Sequence, residues 1–227
     1  MGYIGIILCF IPLIVCFLIL TLAFKLKVTH QLLAMLFGLI AVLPISVIQY
    51  LIPNINFLNF NLVFYSFLKS LFIYGMIEEI FKTILLLPVP HKDYSQRDYL
   101  LLSFLMGLTL GCFESVVYYF DHLQIASYKG ADLLYAQIFL RIFTSDIIHM
   151  TCTGLCGLFI YSCRAKPRKI SVFIVAILIH GIYDFFAGFH NNLKYFSIAV
   201  VLLAIIECRV KYKNIENLCE NRLTIFY

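Results

Sequence analysis

The chain has 227 residues, 63% of them hydrophobic and 13% charged, with a formal net charge of +5. That composition excludes a soluble domain and reads as an integral membrane protein. The basic residues gather in loops and in the tail, so the positive balance reports topology and does not point to nucleic acid.

The sequence predicts an all-α polytopic bundle of about seven transmembrane spans, each needing about twenty apolar residues. One integral-membrane domain covers 1–227, with a motif-bearing core at 62–189 and a short cytoplasmic tail at 209–227. The first span, about Tyr3–Phe24, lacks the basic n-region of a cleavable signal peptide and ends at Lys25 and Lys27. The second, about Leu32–Ile52, contains Pro44, where a kink is expected. An uncharged polar loop, Pro53–Asn61, leads to the third span, about Leu62–Leu87, which stops at Pro88 and Pro90. The fourth span, about Tyr99–Phe120, is followed by a looser connection to about Leu134. The fifth, about Ala136–Tyr161, precedes the most basic loop, with Arg164, Lys166, Arg168 and Lys169. A sixth span, about Ile170–Phe189, and a shorter seventh, about Tyr195–Ile206, complete the bundle. Lys and Arg concentrate after spans one, three, five and seven, which puts the N-terminus outside and the C-terminus in the cytoplasm. The cysteines lie within apolar runs or at cytoplasmic ends, so free thiols are expected, with Cys152 and Cys156 as small packing residues.

Polar residues inside these spans carry the functional signal. Gly75–Lys82 places Glu78, Glu79 and Lys82 within hydrocarbon, where charged groups are rare and mark function. Glu78 and Lys82 share a helix face, and Glu79 is rotated away from it. The fourth span puts Gly107, Gly111 and Glu114 near one face suited to close helix approach. The fifth carries Arg141, Asp146 and His149; the sixth carries His180 and Asp184 one turn apart, a spacing that lets the carboxylate orient an imidazole. Depths counted at about 1.5 Å per residue allow one shared cavity between the midplane and the outer leaflet.

Such a group suits hydrolysis, because a carboxylate held away from water can take a proton from a reacting water molecule. Two imidazoles with a carboxylate can hold zinc or another divalent ion, Glu114, His149 and His180 being one such set. Alternatively they can hydrogen-bond a developing oxyanion with no metal. The sequence leaves both routes open. It contains no His-Glu-x-x-His motif and no recognisable serine nucleophile.

These residues also resemble a known family. Glu78-Glu79-Ile-Phe-Lys82 resembles the Glu-Glu-x-x-Lys signature of the PrsW family of intramembrane proteases. Leu110-Gly-Cys-Phe-Glu114 is similar to its Phe-x-x-x-Glu motif, with Leu110 in place of Phe, and His180-Gly-Ile-Tyr-Asp184 to its His-x-x-x-Asp motif. The resemblance runs over about Gly75–Phe186. It implies cleavage of a single-span membrane protein near the outer face of a bacterial cytoplasmic membrane, typically site-1 cleavage of an anti-sigma factor. By the same carry-over, Glu78 or Glu79 activates water, Glu114 and His180 complete the centre, and His149 and Asp184 support it. The related CAAX prenyl endopeptidases carry His where this chain has Glu114, which argues against a prenylated substrate. The alternatives are a non-catalytic immunity or scaffold protein of the same superfamily and a proton-coupled transporter. The lack of internal repeats speaks against a transporter.

Overall fold

The structure is a computed structural model that describes residues 2–52, 61–90, 94–129, 131–162, 169–189 and 191–223. The regular structure among the described residues is helical throughout. Helices α1 (Gly2–Leu22) and α2 (Val28–Leu51) are joined by a turn in which Lys25 takes a left-handed backbone, φ 54°. The turn lets the Leu26 amide donate to the Leu20 carbonyl at 3.1 Å and closes the end of α1. Pro44 lies inside α2, which continues through it.

Asn61 starts α3 (Leu62–Lys69) by accepting the Val63 amide on its side chain at 2.9 Å. The helix passes into a π-helical segment, Ser70–Met76, and then into α4 (Ile77–Leu86). α5 (Gln96–Lys129) extends well past the predicted end of the fourth span, through much of the stretch expected to be a loose connection. The predicted fifth span is two helices, α6 (Ala131–Phe143) and α7 (Ser145–Ser162), with a corner at Thr144. There the Thr144 hydroxyl donates to the Leu140 carbonyl at 2.8 Å and accepts from the Tyr183 hydroxyl at 3.2 Å. Backbone and side chain both turn away from straight helix at that point.

α8 (Ile170–Ala187) is followed by a 3₁₀ turn (Asn192–Tyr195) and by α9 (Phe196–Leu223). Residues 209–223 of the expected tail 209–227 continue α9, and the rest of that tail lies outside the described residues. Three features hold this continuation. Lys211 pairs with Glu207 at 3.6 Å and Lys213 with Glu216 at 2.6 Å, Ile215 is buried, and Gln96 Nε2 donates to the Tyr212 carbonyl at 2.7 Å.

Among the described residues, five helical stretches are long and apolar enough to cross a membrane: Tyr3–Leu22, Val28–Leu51, Gln96–Leu123, Leu134–Ser162 and Ile170–Ala187. The other two expected spans are the rod from Leu62 to Leu86, which the π segment divides, and the first half of α9, whose continuation is charged. Cys9, Cys16, Cys112, Cys152, Cys156 and Cys208 are free thiols.

α7 is the centre of the bundle, with Ile148, Leu155 and Leu158 buried against α5 residues such as Leu102, Leu105 and Met106. The two helices approach closely where α5 carries Gly107 and Gly111. A Cβ on Gly107 would collide with the His149 carbonyl and Thr153, and one on Gly111 would stand 3.0 Å from Asp146 Cα. The π segment crosses α8 just as tightly, since a Cβ on Gly181 would lie 2.7 Å from Leu71 Cα and one on Gly75 would lie 2.8 Å from the Gly181 nitrogen. These two seams set the distance between the carboxylates of α4 and α5 and the histidines of α7 and α8.

Candidate active site

A π segment holds an extra residue in its turn and shifts the phase of the helix that follows it, and such segments are frequent at functional sites. Here it delivers Glu78, Glu79 and Lys82 to the interior together, at 7%, 0% and 0% exposure. Buried charges of this kind persist only when paired. Glu79 Oε1 accepts from Lys82 Nζ at 2.8 Å and from His180 Nδ1 at 2.6 Å, and its Oε2 accepts from the Cys156 thiol at 3.2 Å. Both oxygens of Glu79 are therefore committed.

Glu78 differs. Its Oε1 accepts from Gln49 Nε2 at 3.1 Å, whereas its Oε2 is buried and has no hydrogen-bond partner. Around Glu78 Oε2 stand Lys82 Nζ at 3.5 Å, His149 Nδ1 at 3.7 Å and His180 Nε2 at 3.7 Å. His180 Nε2 is likewise buried without a partner, and Asp184 Oδ2 lies 3.6 Å from it.

The hydrogen bonds fix the imidazole tautomers. Lys82 Nζ approaches His149 Nδ1 at 3.2 Å and can only donate, so Nδ1 accepts and the ring proton sits on Nε2. That Nε2–H donates to Glu114 Oε2 at 2.6 Å. His180 Nδ1–H donates to Glu79, and its Nε2 faces Glu78. The two rings meet edge to face with centroids 5.0 Å apart. Each histidine thus has a carboxylate behind it and its other nitrogen turned toward Glu78, the arrangement that orients imidazoles in metal sites.

These donors fit a divalent cation. Ligand atoms of Glu78, His149 and His180 lie within 4.8 Å of one another, and the two 3.7 Å separations are near the edge of a tetrahedron with bonds of about 2.0–2.2 Å. The two orphaned atoms are part of this trio. Formal charge agrees, for Glu78, Glu79, Glu114 and Asp184 face two fixed cations, Lys82 and Arg141. The set named from sequence was Glu114, His149 and His180; in the structure Glu78 takes the place of Glu114. An imidazole presents its nitrogens on opposite edges, and Glu114 sits on the Nε2 edge of His149, away from the centre.

Glu114, Asp184 and Arg141 keep side-chain exposures of 33%, 24% and 19%, against 0–9% for the groups around Glu78 Oε2. They form the open side of the cluster. The structure brings together every residue given a catalytic or supporting role from sequence: Glu78, Glu79, Lys82, Glu114, His149, His180 and Asp184. Gln49 and Arg141 join them. Gln49 carries no charge to mark it and lies on a helix without motifs. Arg141, an isolated cation in an apolar run, gave a visible signal in the sequence.

No curated protein and no solved structure matches the chain. Residues 27–206, which include all six helices that contribute to the cluster, match the PrsW family intramembrane metalloproteases, and the chain belongs to that family.

Proposed function

We propose that this protein is an intramembrane endopeptidase that hydrolyses a peptide bond of a single-span, membrane-anchored protein near the outer face of a bacterial cytoplasmic membrane. The observation that carries this reading is the pair of buried atoms without a hydrogen bond, Glu78 Oε2 and His180 Nε2, facing each other across 3.7 Å. The topology that accompanies it has seven spans with the N-terminus outside. An anti-sigma factor is the substrate class proposed from the family resemblance.

Glu78 Oε2 takes a proton from water as the water oxygen attacks the substrate carbonyl, and returns that proton to the amine as the carbon–nitrogen bond breaks. Gln49 holds the other oxygen of Glu78 and fixes the direction of the carboxylate. Lys82, fully buried and 3.5 Å from Glu78 Oε2, offsets the negative charge that develops on the carbonyl oxygen. Glu79 orients His180 and anchors Lys82, so it positions the site without entering the reaction.

Glu78 Oε2, His149 Nδ1 and His180 Nε2 are the atoms that would hold a divalent ion, which supplies a Lewis acid and an acidified water when bound. One oxygen cannot hold an ion and accept the proton at once. A metal-free reading is favoured by Lys82 Nζ, which already places a positive charge 3.2 Å from His149 Nδ1.

The test is cleavage of a panel of single-span proteins by purified protein in liposomes. Wild type is compared with Glu78→Gln and His180→Ala, each with and without a chelator. Cleavage that both variants abolish supports the assignment, and chelator sensitivity separates the metal reading from the metal-free one. Cleavage that survives both variants overturns it.

A further inference from the structure

Outside the residues that face Glu78 Oε2, the densest polar arrangement is built around Arg141. Its Nη2 donates to Glu114 Oε2 at 3.0 Å and to the Ser145 hydroxyl at 2.9 Å, and its Nε donates to the Ser115 hydroxyl at 3.2 Å. The Ser115 hydroxyl in turn donates a hydrogen bond to buried Asp146 Oδ1 at 3.0 Å, and the guanidinium carbon lies 3.9 Å over the Tyr118 ring. Three hydrogen bonds and a stacking face fix a planar guanidinium in all directions.

The target of this arrangement is one atom. Glu114 Oε2 receives Arg141 Nη2 at 3.0 Å, the Ser145 hydroxyl at 3.3 Å and His149 Nε2 at 2.6 Å. Arg141 comes from α6, Glu114 and Ser115 from α5, and Ser145 and His149 from α7, so the guanidinium ties three helices together at the Thr144 corner. Without it, the Glu114 carboxylate, open to its surroundings over a third of its side chain, has no cation to hold it against His149.

We propose that Arg141 is a positioning residue of the hydrolytic centre. It locks Glu114 Oε2 onto His149 Nε2–H and so presents the His149 Nδ1 lone pair toward Glu78. The proposal rests on the reading of the Glu78–His149–His180 cluster as the hydrolytic site, and its test includes a readout that needs no substrate.

That readout is the ¹H–¹⁵N spectrum of histidine-labelled protein, with the His149 signals identified by their loss in His149→Gln. Wild type shows a far-downfield His149 Nε2–H proton, held in its hydrogen bond to Glu114. Lys82 still donates to Nδ1 in the variants and keeps the tautomer, so Arg141→Met loses that downfield proton signal, while the His180 Nδ1–H, held by Glu79, keeps its wild-type position. His180 serves as the folding control, because a collapsed variant changes both rings. Arg141→Lys keeps the charge but cannot bridge Glu114, Ser145 and Ser115 together, so a smaller upfield shift remains. On a cleavable substrate, kcat falls about 10–100-fold in both variants, as for other residues that orient a ligand from behind, with KM within about threefold. A wild-type His149 Nε2–H signal in both variants, or a loss confined to KM, overturns the proposal. Failure of wild type to cleave any substrate bears on the hydrolytic reading and leaves the His149 Nε2–H signal to decide the role of Arg141.

Discussion

Glu78 and Glu79 are adjacent in sequence, yet Glu79 has both oxygens bonded while Glu78 Oε2 has no hydrogen-bond partner. A rotation of about 100° along the helix therefore separates a fully bonded carboxylate from one with an oxygen that accepts no hydrogen bond. The two conservative variants are expected to fail in different ways. Glu79→Gln leaves buried Lys82 without its 2.8 Å partner and is expected to lose about 3–5 kcal/mol of stability. Glu78→Gln keeps a similar melting temperature in detergent but loses activity by at least about 100-fold, the scale of a missing general base. Thermal unfolding measured beside cleavage separates the two, and the opposite pattern would reverse their roles.

Gln49 donates the hydrogen bond that fixes Glu78 Oε1, at 3.1 Å. A hydrogen bond to a charged group contributes about 1.5–3 kcal/mol. Gln49→Ala is expected to lower kcat about 10–100-fold with folding unchanged, and Gln49→Glu to lower it further by setting a second negative charge against Glu78. Steady-state kinetics on one cleavable substrate is the check.

The seam between the π segment and α8 has no room for side-chain atoms. Gly181→Ala puts a Cβ 2.7 Å from Leu71 Cα, against backbone that cannot swing aside. Overpacking of this kind costs about 1–3 kcal/mol. The expected outcome is a lower melting temperature together with a loss of activity larger than the stability change explains, because the seam also sets the spacing of Glu79 and His180. Gly188→Ala, whose new Cβ would come no closer than 3.4 Å to any neighbour, is the control.

Metal retention should depend on the carboxylates behind the histidines as well as on the ligands. On the metal reading, which Lys82 beside His149 disfavours, titration with cobalt shows binding in wild type that is abolished in His149→Ala and His180→Ala; no binding by wild type supports the metal-free reading. In Glu114→Ala the affinity falls by about 10–100-fold. Equal affinity in wild type and Glu114→Ala would mean that Glu114 does not orient His149 toward an ion.

Much of this arrangement can be read in the sequence, because intramembrane charge is conspicuous. Glu78, Glu79, Lys82, Glu114, His149, His180 and Asp184 all stand out against apolar runs, and all lie in one cluster. The division of labour between Glu78 and Glu79 is not legible, since both sit in one dipeptide and only the π segment and the partners on α7 and α8 distinguish them. The exchange of Glu114 for Glu78 in the metal trio depends on which edge of the His149 ring faces which carboxylate, a property of tertiary packing. The Thr144 corner and the long α5 escaped because hydropathy marks apolar length and does not register local hydrogen bonding. In the same way, part of what holds the helix through residues 209–223 comes from Gln96 and from the burial of Ile215, distant contacts that add to the local Lys211–Glu207 and Lys213–Glu216 pairs.

The most direct test of hydrolysis at this centre is cleavage in water enriched in ¹⁸O, with mass spectrometry of both product ends. Hydrolysis with Glu78 as base predicts one ¹⁸O in the new carboxyl terminus and a cut within the outer third of the substrate span. It also predicts no labelled product from Glu78→Gln. Labelled product formed by Glu78→Gln at the wild-type rate would contradict it.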